Sequence, residues 1–384
     1  MIKCPSCFQV LPQDRFQWIC NSGRCPTQSD ETASRSLGVS ISLPPVTGML
    51  TAPANSRNWK PPPMACMACK GEAIPCCPNC HFGLPDGWYS GDAMCVALAG
   101  ARYTGKSVYI GVVVHFLQDL VERIFNSTLI LATSQTTRIY RSVYEQVLFE
   151  QTGALPATPS SETSQTYQIQ PLVLGLGTIN GKARYLAIRD VAGEDLEKEN
   201  RRSLGFFRHA DLVAFLFDPL AVPTIQNHLK GLIPAQDQGS TVNPIDVLTT
   251  VQQLMGSTNG RLAVVLSKFD ALQELRRFPE HQLGQVMGNP GAAINRHPAH
   301  LGDSSDRDLV HEEVRGILQL LGAGNIVASV ENWSRATRGD HRFMAVSSLG
   351  ASADGGRLAE TGIAPFRCLD PLLWLFLDHH LLEA

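Results

Sequence analysis

An eight-residue stretch, Gly100-Ala101-Arg102-Tyr103-Thr104-Gly105-Lys106-Ser107, sits between an apolar run, MCVALAG (94–100), and a segment with helix-like apolar spacing, VYIGVVVHFLQDLVERIF (108–125). The G-x-x-x-x-G-K-[ST] pattern, entered from a strand and leaving as a helix, constrains the fold more than any other feature of the chain. Glycines let the backbone turn so that its N–H groups point inward, and the helix start adds a positive dipole end. Such a loop cradles a polyphosphate. In such a loop Lys106 would reach the outer phosphates and Ser107 would ligate Mg²⁺.

The rest of the chain after residue 87 alternates strand and helix patterns. STLILAT (127–133), ADLVAFLFD (210–218), RLAVVLSKFD (261–270) and RFMAVSS (342–348) read as further strands, with helices such as Thr137 to Glu150 and IDVLTTVQQLM (245–255) between them. YQIQPLVLGLG (167–177) and ARYLAIRDV (183–191) flank Asn180-Gly181, a strong hairpin signal. Alternating units of this kind imply an α/β three-layer sandwich with a mainly parallel sheet and one antiparallel edge hairpin. The C-terminal DPLLWLFLDHHLLEA is expected to dock on that sheet as a helix. The stretch Phe278 to Asp306, rich in Gly, Pro, His and Asn, reads as a disordered inserted loop.

Two short motifs follow the phosphate loop, each at the end of an expected strand. Asp190-Val191-Ala192-Gly193 places a carboxylate near the Mg²⁺ shell, and the Gly193 amide where it can sense a terminal phosphate. Ser267-Lys268-Phe269-Asp270 offers a carboxylate that can accept two hydrogen bonds from guanine, a donor pair that adenine lacks. The Lys268 stem can lie against the base, and Val346-Ser347-Ser348-Leu349 can offer a backbone N–H to the guanine oxygen. Alone each motif is weak. Their order along the chain, at the strand ends where open α/β sheets bind ligands, is what makes the set informative.

GARYTGKS, DVAG, SKFD and VSSL together resemble the TRAFAC-class GTPases, over about residues 87–384. The N-terminal cysteines and the long, decorated domain resemble the bacterial double-GTPase proteins, which implies a multi-component signalling or defence system. The resemblance implies GTP/GDP and Mg²⁺ as ligands, with Gly100 to Ser107, Asp190 and Gly193 on phosphate and metal, and Lys268, Asp270 and Ser347 on the base. It also implies a Mg²⁺-ligating threonine between the first helix and the hairpin, where Thr158 is favoured over Thr163 and Thr166. Catalytic roles fall to Lys106, Glu194 and Arg102. Glu194 stands where relatives carry a water-orienting glutamine, and Arg102 is bulky where many carry glycine. Slow or partner-activated hydrolysis is expected. The competing expectation is a non-hydrolysing, nucleotide-sensing scaffold whose zinc ribbons bind protein or nucleic acid.

Nine of the 11 cysteines precede residue 81. Clustered CxxC pairs in a reducing compartment are metal ligands more often than disulfides. Spacing groups them as Cys4, Cys7, Cys20 and Cys25 in one zinc module and Cys66, Cys69, Cys77 and Cys80 in a zinc ribbon, with Cys76 or His81 as possible substitutes. Expected boundaries are 1–27 and 64–86 for these modules, 28–63 for a linker and 87–384 for the nucleotide domain. Cys95 and Cys368 read as core residues. The start, MIKCPSC, has no apolar leader, and no apolar run approaches the ~20 residues of a membrane span. The expectation is a cytoplasmic protein that meets protein partners through its zinc ribbons or switch segments. A net charge of -3 gives no electrostatic reason for nucleic acid binding.

Overall fold

A computed structural model describes residues 2–53, 62–151, 153, 155, 170–197, 202–230, 233, 243–257, 260–298, 300–351 and 362–383. The N-terminal part is a small antiparallel sheet with a side ribbon. Its strands are β1 (Arg15–Cys20), the short pair β2 (Gln28–Ser29) and β3 (Ser42–Leu43), β4 (Val46–Thr51), β5 (Met64–Ala65) and β6 (Glu72–Cys76), with four of them ordered β4-β1-β6-β5. Helix α1 (Glu31–Leu37) stands between β2 and β3, capped by Asp30, whose carboxylate accepts the Ala33 amide. Residues 28–53 are therefore folded, not a linker. Strand β1 pairs with β4 on one side and β6 on the other, so the two expected cysteine modules share one sheet.

The large sheet is built from β7 (Asp92–Ala99), β8 (Ile130–Leu131), β9 (Leu172–Ile179), β10 (Lys182–Asp190), β11 (Leu212–Phe217), β12 (Arg261–Leu266) and β13 (Asp340–Ala345). Their order is β13-β12-β11-β7-β10-β9-β8. The five strands from β13 to β10 are parallel; beyond them β9 runs antiparallel to both of its neighbours, β10 and the edge strand β8. Asn180 and Gly181 both take positive φ, 52° and 75°, as a two-residue turn between right-twisted strands requires.

Side chains alternate across β7. Cys95, Ala97 and Ala99 join one buried cluster with helices Pro244–Met255, Ser304–Leu320 and Gly324–Thr337. Met94, Val96 and Leu98 join the other, with α2 (Lys106–Phe125) and the C-terminal helix Asp370–Asp378. Both faces are covered, as a parallel sheet demands. The segment expected to be helical before residue 150 is a short α-helix, Ser134–Ile139, that widens into π-type turns over Tyr140–Glu150. Among the described residues no helix is long and apolar enough to cross a membrane.

The stretch expected to be a disordered insertion is ordered. It holds a helix at Gln282–Gly288 and a 3-10 turn at Ala293–Asn295. Glu313 accepts the Ala293 and Ile294 amides, and Arg367 donates to the carbonyls of Ala293 and Arg296. Arg367 also bonds Asp306 and Asp370, each at 2.7 Å, with its own side chain and that of Asp306 only 1% exposed. Burial pulls the guanidinium pKa down, but the two carboxylates more than restore it. Replacing Arg367 by Met removes the cation that the two buried carboxylates share and leaves Asp306 only the longer, 3.6 Å contact with Arg296. Urea unfolding is expected to show a loss of about 3–5 kcal/mol; a loss under about 1 kcal/mol would mean that the network carries little of the insertion's order.

Candidate nucleotide site and cysteine clusters

Parallel β7, β10, β11, β12 and β13 present their C-terminal ends on one edge, and the motifs follow in place. After β7, Gly100 turns with φ 145°, and a Cβ there would sit 2.6 Å from the Leu216 carbonyl of β11. Only glycine lets the loop lie that close to its neighbouring strand. Gly105, φ 84°, opens α2. Lys106 is 6% exposed, and its ammonium donates to the Gly100 and Ala101 carbonyls at 2.9 and 2.8 Å. Thr104 Oγ1 donates to the Ala101 carbonyl, and Tyr103 lies exposed at the rim.

Asp190 ends β10, and its Oδ2 accepts the Ser107 hydroxyl at 3.4 Å. The two groups expected at Mg²⁺ therefore stand together, an oxygen donor set suited to that ion. Gly193 sits against the loop: a Cβ would fall 2.5 Å from the Arg102 amide nitrogen. Glu194 Oε1 meets the Arg102 guanidinium at 2.8 Å, with both side chains partly exposed. Thr158, Thr163 and Thr166 lie outside the described residues.

On the base side, Lys268 takes a left-handed φ of 50° and its ammonium pairs with Asp218 at 2.7 Å. Asp218, at the end of β11, also caps the next turn through the Leu220 amide. Asp270 Oδ1 accepts the Ser347 hydroxyl at 2.6 Å, and the Phe269 amide reaches the Val346 carbonyl. The Ser347 amide bonds the Phe366 carbonyl, so it is the Ser347 side chain, not its backbone N–H, that faces the base motif. Asp218 is the residue that sequence reasoning passed over. Its signal was a carboxylate closing a buried parallel strand. From the end of β7 to the end of β12 is two strand spacings, about 10 Å, with β11 touching both motifs.

The cysteines assemble in a different partition from the one their spacing suggested. Cys4, Cys7, Cys77 and Cys80 form one cluster and Cys20, Cys25, Cys66 and Cys69 the other, the ligand atoms of each lying within 4.8 Å of one another. The reason is the β1–β6 pairing, which carries the end of each block to the start of the other. Sγ separations of 3.5 Å (Cys4–Cys80), 3.8 Å (Cys7–Cys77) and 3.7 Å (Cys20–Cys69 and Cys25–Cys66) match the edge, about 3.8 Å, of a tetrahedron with 2.3 Å metal–sulfur bonds. The thiols fit Zn²⁺.

Three of the four arms share one turn. After each CxxC, Phe8, Lys70 and His81 take φ of 61°, 58° and 54°, and their amides return to the carbonyls of Cys4, Cys66 and Cys77. Amides of Ser6 and Asn79 point at the Cys4 and Cys77 sulfurs, a pattern that favours thiolate. The Cys69 amide, more than any other group, holds the Cys66 thiol down to about 6. Cys76 and His81 belong to neither cluster. Burial pushes the Cys76 thiol well up, and His81 Nδ1 bonds Asp30 at 2.6 Å.

A phosphate loop, a DxxG turn and an SKxD turn on one edge of this sheet define the P-loop GTPase fold. The Double-GTPase 2 family profile matches residues 94–324, and the chain belongs to that family of GTP-binding proteins. It is 41% identical, over 98% of both chains, to the Putative ESX-1 scaffolding and assembly protein SaeC of Mycolicibacterium smegmatis. Solved structures similar to it include Aquifex aeolicus Era bound to GDP.AlF4-, at 11% identity and TM-score 0.29, covering 76% of this chain and 58% of Era. The GTPase-like domain of S. cerevisiae Ski7 is similar at 12% identity and TM-score 0.32, covering 76% of this chain and 51% of that one. The chain thus spans little more than half the length of these two solved neighbours.

Metal stoichiometry of paired variants distinguishes the two cysteine partitions. The double variant Cys7→Ser/Cys77→Ser disables one site and is expected to retain about one zinc per chain. Cys7→Ser/Cys25→Ser disables both and is expected to retain none. The reverse outcome would restore the sequential partition.

Proposed function

We propose that the chain is a GTP-dependent switch that hydrolyses GTP to GDP and phosphate, and that its two zinc-bearing N-terminal clusters present it to protein partners. The observation that carries this reading is the convergence of Lys106, Ser107, Asp190 and Gly193 with Lys268, Asp270 and Ser347 along one sheet edge. In it, the ammonium of Lys106 exchanges its two loop carbonyls for phosphate oxygens; Ser107 and Asp190 would hold Mg²⁺, which when bound would supply positive charge against that developing on the phosphate. Asp270 exchanges the Ser347 hydroxyl for the guanine N–H donors. Asp218 keeps the Lys268 stem in place beside the base.

Glu194 occupies the water-orienting position as a carboxylate, a poor neighbour for a γ-phosphate. The 2.8 Å contact with Arg102 supplies the charge that makes it tolerable. Hydrolysis is then slow, and faster when a partner repositions the pair. A second reading, a nucleotide-sensing scaffold without turnover, is favoured by the same Arg102–Glu194 pair and by the scaffolding and assembly role in the relative's name. That name also favours a scaffolding and assembly setting over defence. A reducing, cytoplasmic location is consistent with eight cysteines grouped as two sets of metal ligands.

Phosphate release separates the two readings. Turnover of GTP above that of Lys106→Ala is expected; equality with that variant removes the enzyme and leaves the scaffold. GTP is expected to bind far more tightly than ATP, and Asp270→Ala to abolish the preference; tighter binding of ATP would remove the base assignment. Arg102→Gly leaves the Glu194 carboxylate facing the γ-phosphate. Its preference for GTP over GDP is expected to fall about fivefold, roughly 1 kcal/mol of repulsion in a solvated site. Adding Glu194→Gln is expected to restore it. An unchanged preference in competition binding would show that Glu194 points away from the phosphate.

A further inference from the structure

Arg189 precedes Asp190 on β10, opposite Ala97 of β7, and so points to the other face of the sheet from its neighbour. It is 4% exposed. Its Nη1 donates to the Ser6 carbonyl at 2.7 Å, inside the Cys4–Cys7 knuckle. Its guanidinium lies 3.7 Å over the Phe206 ring, and Phe206 meets Phe8 edge-on at 5.3 Å. Phe8 is the left-handed residue that ends this knuckle turn, and it is fully buried in the sheet's own core. A buried guanidinium is costly to hold without negative charge nearby. Burial lowers the Arg189 pKa to about 10, and the Cys80, Cys7 and Cys4 sulfurs pull in the opposite direction. Four thiolates around Zn²⁺ leave two net negative charges, so a loaded cluster is a counter-charge for Arg189.

The knuckle is tied to the same strands at other points. Lys3 bonds Asp211 and the His209 carbonyl; Asp211 accepts the Cys95 amide of β7; the Cys95 thiol faces the Cys4 carbonyl. Strands β7 and β10 lead directly into the phosphate loop and the Asp190–Gly193 turn. The second cluster sits apart, on the β1–β6 sheet. Its Cys20 and Cys69 sulfurs meet the Ser22 hydroxyl, and the Met67 amide between Cys66 and Cys69 donates to Thr47, all within its own module.

We propose that Arg189 is a positioning residue coupling the Cys4/Cys7/Cys77/Cys80 metal site to the phosphate-reading turn at Asp190–Gly193, so that metal there, and not at the second cluster, tightens nucleotide binding. This rests on the nucleotide reading of the site above. The knuckle fixes Arg189, Arg189 fixes the end of β10, and that end carries the carboxylate beside Ser107. Coupling between two sites is reciprocal: if zinc at the first cluster favours GDP, GDP must retain that zinc to the same degree.

The test uses the full chain carrying two zinc ions. Zinc transfer to a pyridylazo-resorcinol chelator is followed with and without GDP and Mg²⁺, beside titration with a fluorescent GDP. In the wild type, GDP is expected to slow the release of one zinc about tenfold and leave the other unchanged. Cys25→Ser, which lacks the second site, is expected to keep the GDP-sensitive ion. Arg189→Met is expected to hold both ions, bind GDP about tenfold more weakly and release zinc indifferently to GDP, with Arg189→Lys partly restoring the dependence. A merely structural arginine would lower stability without making zinc release indifferent to nucleotide. If Arg189→Met fails to fold, the wild-type and Cys25→Ser release rates decide alone. Wild type that binds GDP yet releases both ions at unchanged rates overturns the coupling. Wild type that binds no GDP overturns the nucleotide reading, and the coupling with it.

Discussion

Close approach of backbone to backbone at the sheet's edge is the constraint on which the rest depends. The phosphate loop lies against the Leu216 carbonyl at Gly100, and the DxxG turn lies against the loop at Gly193. Neither contact leaves room for a Cβ. Both demand that β7, β10 and β11 end at matching heights, which the parallel registers provide. The register in turn comes from the alternation of buried side chains, because a slip by one residue would turn Cys95, Ala97 and Ala99 toward the wrong core. The site is thus a product of packing on both sheet faces, not of the loops alone.

The N-terminal part stands on different physics. One of its apolar clusters is small, centred on Phe16, Trp18 and Ala73, and the other, with Ile2, Leu11, Leu37 and Leu84, is completed by Ala93 and Val173 of the large sheet, too little to fold such a module unaided. Metal bound by four thiolates supplies on the order of 10 kcal/mol in such modules. The two parts are not independent. The first knuckle inserts Phe8 into the large core, and Trp88 donates to the Lys3 carbonyl. The Cys4 cluster is accordingly half of the small module and half of the sheet's covering layer.

Much of this was legible in the sequence. Residues 100–107 declared the phosphate loop because strand, glycines, lysine and helix must occur in that order, and Asn180-Gly181 declared the hairpin because few other pairs tolerate two positive φ angles. The cysteine partition was not legible. Spacing reports which thiols share a knuckle, but which knuckles share a metal is decided by the pairing of β1 with β6 across some fifty residues. The insertion after residue 278 looked disordered because its order comes from distant residues, Glu313 and Arg367, that no local pattern reveals. Asp218 and Arg189 were hidden for a similar reason: each lies in an apolar strand pattern, and only the neighbouring strand or knuckle shows what it holds.

The central claim is that one guanine nucleotide spans Lys106 and Asp270. A crystal structure of the chain with GDP and Mg²⁺ tests it most directly. The expected result is a diphosphate within the 100–107 loop, the Lys106 ammonium moved from the Gly100 and Ala101 carbonyls to its oxygens, and the guanine edge on Asp270 in place of the Ser347 hydroxyl. GDP bound elsewhere, or bound at Lys106 with its base turned away from Asp270, would contradict it.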